Sequence, residues 1–71
     1  MKIHVQSHKQ RGEETPTGFR LGERFLRVLR VGGRWEEGEK RYFKVTVLDG
    51  REFVLRQDTL TDRWELERAT A

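Results

Sequence analysis

From residue 40 onward, apolar side chains fall at every second position. In 41-RYFKVTVL-48, Phe43, Val45 and Val47 share a face. In 51-REFVLRQ-57, Phe53 and Leu55 do, and in 63-RWELE-67, Trp64 and Leu66 do. Period-two alternation of aromatic and β-branched residues predicts half-buried strands over 40–48, 51–57 and 62–68. Turn chemistry then sets their register. A two-residue Asp49-Gly50 turn would put Phe53 and Leu55 on the opposite face from Phe43 and Val45. A three-residue Leu48-Asp49-Gly50 loop, a type I turn closed by a left-handed Gly50, sets Phe43 against Leu55 and Val45 against Phe53. A four-residue loop Asp58–Thr61 next pairs Leu55 with Trp64 and Phe53 with Leu66, continuing one apolar face across three strands.

The stretch 24-RFLRVLRVGGRW-35 is ambiguous. As a helix it would gather Arg20, Arg24, Arg27 and Arg34 opposite an apolar cluster, with Gly32-Gly33 as its end. Val28 and Val31, the lack of strong helix formers and the all-β context favour a strand over 24–35. As a strand it places Leu29, Val31 and Trp35 on one face and Leu26 and Val28 on the other. A strand apolar on both faces suits one that serves two layers, with Gly32-Gly33 as a bulge or bend. Arg24, Arg30 and Arg34 then share a face, and Arg27 opposes them unless the glycines reset the phase.

Residues 2–6 alternate as a short strand with Ile3 and Val5 on one face. Residues 7–18 contain no large apolar side chain and read as a polar, mobile loop ending at Thr15-Pro16-Thr17-Gly18. The expected fold is all-β: a single domain over 1–71, in which an antiparallel meander of four main strands spans 19–69. The short N-terminal strand helps close it into a small barrel or roll.

Composition adds three points. The 71 residues hold no cysteine, which excludes disulfides and thiolate metal sites, and a core this small is marginal alone. Charged residues reach 38%, asparagine is absent and the one methionine is Met1, a thermophile-like balance. The +3 charge is uneven: residues 1–34 carry eight Lys/Arg against three Glu, and residues 35–71 carry seven against nine Asp/Glu. No apolar run spans a bilayer and nothing reads as a signal peptide, so the expectation is a soluble, cytoplasmic protein without a membrane partner.

Catalytic chemistry is hard to assemble. Ser7 lies between His4 and His8 without an evident third group or oxyanion hole. The four-residue spacing of the two histidines suits a metal only on a helix. Glu36-Glu37-Gly38-Glu39 reads as a charged hairpin turn rather than a cation loop. No phosphate-binding glycine loop is present. The expectation is a protein without enzymatic activity, metal or cofactor. Trp35 and Trp64 read as core, and Tyr42 as an exposed aromatic beside Lys40, Arg41 and Lys44. Basic residues interleaved with aromatics on a sheet suit nucleic acid. The candidate contacts are Arg24, Arg27, Arg30, Arg34, Tyr42 and Lys44.

Residues 35–69 also resemble a known family. Trp35, the Arg41-Tyr42…Val45 strand, Asp49-Gly50, Leu55, Asp58 and Arg63-Trp64-x-Leu66-x-Arg68 are similar to a small bacterial β domain of unknown function. That domain occurs as short stand-alone proteins and as the tail of actinobacterial mutasome proteins related to Y-family translesion polymerases. Gly22 and Arg24–Val31 resemble the basic strand that precedes its tryptophan. The resemblance implies an all-β domain and a DNA-repair setting, and it implies no catalytic residues. Two functions stay open: a binding module for nucleic acid or a nucleic-acid-handling protein, and a self-association module whose homodimer buries Leu26 and Val28.

Overall fold

The Leu48-Asp49-Gly50 loop forms as its residue types dictate. Gly50 takes a φ of 93°, and its N–H donates to the Val47 carbonyl at 2.9 Å. The flanking strands consequently pair Phe43 with Leu55 and Val45 with Phe53. The computed structural model describes residues 1–70, so Ala71 lies outside the described residues. It contains β1 (His4–Gln10), β2 (Glu13–Leu21), β3 (Arg24–Glu37), β4 (Lys40–Val47), β5 (Glu52–Asp58) and β6 (Arg63–Thr70). These six antiparallel strands are hydrogen-bonded in sequence order, as a meander curled into a half-barrel. Among the described residues no helix is long and apolar enough to cross a membrane.

The N-terminal segment differs from the sequence expectation. Residues 7–18 are not a loop: they form most of a β1–β2 hairpin in which Lys9 faces Glu14 and Gln10 faces Glu13. Arg11 and Gly12 make the turn, both with positive φ (53° and 81°), as a two-residue type I′ turn requires. Phe19 anchors the hairpin. It is fully buried and meets Phe53 edge to face, with centroids 5.2 Å apart. Before β1, the Ile3 N–H donates to the Trp64 carbonyl and the Leu66 N–H to the Met1 carbonyl. These bonds bring the first residues of the chain against the last strand.

β3 belongs to two ladders. Its start, Arg24–Arg27, pairs with β2, and Val28–Glu37 pairs with β4. The register slips at Leu29 and again at Gly32, so each of these residues is a bulge. A bulge adds one residue to one strand and inverts the face of everything beyond it. Leu26, Val28 and Val31 therefore all pack against the core. The expected split of Leu26 and Val28 from Val31 does not occur.

The core is Phe19, Phe43, Val45, Val47, Phe53, Leu55 and Trp64. The β5–β6 register is two positions off the expected one: Leu55 faces Leu66, and Trp64 faces Gln57. The loop is Thr59–Asp62 rather than Asp58–Thr61. Asp58 stays in its strand, and its Oδ1 accepts the N–H groups of Leu60 and Thr61, while Asp62 closes the turn at a φ of 61°. The shift is even as far as Leu66, so Trp64 and Leu66 still face inward; a further slip at Glu67 sets Phe53 against Ala69 rather than Leu66. Gln57 is a polar member of that face. Only 2% exposed, it donates from Nε2 to Glu14 Oε1 (2.9 Å) and Asp62 Oδ1 (2.8 Å), tying β5 to β2.

Phe19→Ala should cost about 3–5 kcal/mol, the usual loss for a buried phenylalanine. Urea unfolding followed by tryptophan fluorescence and by circular dichroism should then give one coincident transition at lower midpoint. Separate transitions would show a hairpin that folds apart from the rest. A second outcome concerns acid. The Lys40 ammonium, 2.6 Å away, and the Leu60 and Thr61 N–H groups hold the Asp58 carboxyl at about 2, against 3.8 unperturbed. Its folded value is depressed, so its contribution is complete above about 4 and disappears as pH falls toward 2. Asp58→Asn should be less stable than the parent at pH 7 and equal to it near pH 2, by urea midpoint. An unchanged difference at pH 2 would contradict this.

Candidate nucleic-acid interface

The two bulges sort the basic residues of β3. Phe19 is in the core and pairs with Leu26, so the neighbouring pairs Gly18–Arg27 and Arg20–Phe25 lie on the outer, convex face. Beyond the Leu29 bulge, Arg30 pairs with Thr46, whose neighbours Val45 and Val47 point inward; Arg30 is therefore also convex. Beyond the Gly32 bulge, Arg34 pairs with core Phe43 and Trp35 with Tyr42. Arg34 is thus turned inward and Trp35 outward. The expected common face of Arg24, Arg30 and Arg34 does not form, and Arg27 sides with Arg30.

Ion pairing separates these arginines further. Arg34 donates to Glu13 Oε1 at 2.7 Å and Thr15 Oγ1 at 2.9 Å, and its guanidinium lies 5.5 Å from the Phe43 ring centroid. It straps β3 to the β1–β2 hairpin through Glu13 and Thr15. Arg24 faces the inner rim opposite Leu21, close enough to Asp49 to help lower that carboxyl, after the Arg51 N–H and side chain. Lys44 reaches Glu52 at 3.9 Å on the convex face. Among the described residues, Arg20, Arg27 and Arg30 form no ion pair and are exposed. The structure therefore places Arg27, Arg30 and Lys44 of the candidate set on one convex surface with Arg20, and places Arg24 and Arg34 on the inner side.

The aromatics also move. Trp64 is core as expected, but Trp35 is 39% exposed and stacks on Tyr42 with centroids 5.3 Å apart and planes 2° from parallel. The cause is the Gly32 bulge, which carries Trp35 off the face of Val31. Tyr42 is half-buried by this stack and by Arg56, whose charge is stabilised by Glu65, Glu67 and Tyr42. Two exposed apolar residues complete the surface, Phe25 (44%) and Leu29 (56%). Phe25 was detectable only by recognising β2, because the Gly22-Glu23 turn is what sets it opposite Arg20.

The other candidate chemistry is accounted for by local structure. Ser7 donates its hydroxyl to Glu14 Oε2, and this bond with that of Gln57 lowers the Glu14 carboxyl below its ordinary value. His4 and His8 lie on strand β1, where four-residue spacing is not the helical metal spacing. Gly38 (φ 59°) and Glu39 form the β3–β4 turn, with Glu37 paired to Lys40. Among the described residues, no three His, Cys, Asp or Glu are grouped to hold a metal. No family model, curated protein or solved structure matches the chain.

Stability should separate the two kinds of arginine. Arg34→Ala removes two hydrogen bonds and a cation–π contact and should lower stability by about 1–2 kcal/mol. Arg27→Ala and Arg30→Ala should stay within about 0.5 kcal/mol of the parent, as exposed, unpartnered side chains do. Urea midpoints of the three variants check this; equal losses would mean the convex arginines have structural partners.

Proposed function

We propose that the protein is a non-catalytic module that binds nucleic acid on its convex face, acting in the cytoplasm. The observation that carries this is the placement of Arg20, Arg27 and Arg30, exposed and without ion pairs among the described residues, on the same convex face as Phe25 and Lys44. Among the described residues six of the fifteen Lys/Arg are ion-paired, and along β3 and β4 Arg34, Lys40, Arg41 and Lys44 each have an acidic partner while Arg27 and Arg30 have none. Unpaired guanidiniums beside an exposed ring supply the two terms such binding uses: phosphate neutralisation and base stacking. The resemblance of residues 35–69 to the mutasome tail domain supports a DNA-repair setting.

A second reading is self-association. Leu26 and Val28 no longer support it, because both face the core. Leu29, 56% exposed on its bulge, is what favours it now. Light scattering separates the readings: a tight dimer indifferent to oligonucleotides and broken by Leu29→Ser supports self-association.

For the nucleic-acid reading, fluorescence anisotropy with a labelled oligothymidylate should show log K falling with log salt at a slope of about −2. That slope corresponds to about three phosphates at −0.7 each on a single strand. The double variant Arg27→Ala, Arg30→Ala should reduce the slope toward about −0.7 and weaken binding. No binding at low salt, or binding that ignores the double variant, would refute the proposal.

A further inference from the structure

Gly18 has an unusual neighbour. A Cβ built on it would stand 2.3 Å from Phe25 Cζ, 2.9 Å from Cε2 and 3.1 Å from Cε1. Real Cβ atoms do not approach carbon so closely, so the ring leans into space that exists only because residue 18 is glycine. Register explains the contact. Phe25 pairs with Arg20, and Gly18 is its diagonal neighbour on the same face. Gly18 is buried in consequence, although it lies on the convex side, while Phe25 remains 44% exposed. The ring is held at its tip and open to solvent elsewhere.

We infer that Phe25, seated on Gly18, is a base-stacking platform that makes the convex face selective for single-stranded over double-stranded nucleic acid. The inference rests on the nucleic-acid reading and adds the class of ligand. Three observations support it. The ring is bracketed by Arg20, its direct cross-strand partner, and Arg27, the partner of Gly18; neither is ion-paired among the described residues. The other exposed aromatic, Trp35, already has a ring stacked on it. And the opposite face of this ladder carries Phe19 and Leu26 into the core, so the strands beneath the ring are anchored. A π-face is useful only to an unstacked base, because a duplex offers base edges in its grooves and phosphates outside. The guanidiniums then take the phosphates on either side of the stacked base.

The test uses the 71-residue protein and three labelled probes of about ten nucleotides: oligothymidylate, the same strand with abasic sites, and a duplex. The parent should bind oligothymidylate at least about tenfold more tightly than the abasic strand or the duplex at equal salt. Phe25→Leu should weaken oligothymidylate binding about 5- to 150-fold, the effect of losing one stacked base. It should leave the abasic strand's affinity and the salt slope unchanged. Phe25→Trp should keep the preference, with emission quenched by thymine and not by the abasic strand; this variant retains the test should Phe25→Leu fail to fold. Salt-dependent binding that Phe25→Leu leaves intact, or equal affinity for the three probes, overturns the platform while the arginine surface stands. Absence of binding to every probe overturns both.

Discussion

Everything on the surface of this protein depends on the phase of one strand. β3 is long enough to pair with β2 at its start and with β4 over the rest, and no other strand serves two partners in separate segments. A continuous strand of that length would present alternate residues to one side throughout. Two bulges prevent this. The first lets Leu26, Val28 and Val31 all reach the core; the second turns Arg34 inward and Trp35 out. Bulges also raise local twist, which suits a strand that must curl around a small core.

The core that this curl encloses is small, so polar links matter at its margins. Gln57 holds one carboxylate from β2 and one from the β5–β6 turn, and Arg34 crosses to the hairpin. At the β3–β4 and β5–β6 turns, Thr59 donates both its N–H and its hydroxyl to the Glu39 carbonyl, and Lys40 pairs with Asp58. Exposed ion pairs of this kind are individually weak. What they accomplish here is selection: they consume Arg34, Lys40, Arg41 and Arg56, and leave the convex arginines to be read as a surface.

Legibility followed the strength of local signals. Asp49-Gly50 with strict alternation on both sides was enough to place Phe43 against Leu55 and Val45 against Phe53. Gly32-Gly33 could be recognised as a bulge, though its effect on Trp35 could not be assigned without the register. The β1–β2 hairpin was hidden because both strands are polar around a turn whose first residue is Arg11, and because Pro16, a residue that reads as a strand breaker, lies within the second strand. The bulge at Leu29 carries no marker at all: an ordinary leucine absorbs it, and only the competition between two ladders for β3 requires it. The geometry of the candidate surface was therefore half legible: Arg27 and Arg30 could be placed on one strand, but their common face was obscured.

The Leu29 bulge brings Arg27 and Arg30 onto one convex surface with Arg20 and Phe25, the surface proposed to meet single-stranded nucleic acid. The most direct test is an NMR titration of the isotope-labelled protein with a short oligothymidylate. Binding on the convex face should shift the side-chain and backbone signals of Arg20, Phe25, Arg27 and Arg30 and leave Leu26, Val31 and Phe43 unmoved. Shifts clustered on the concave face around Arg34 and Arg41, or none at all, would contradict it.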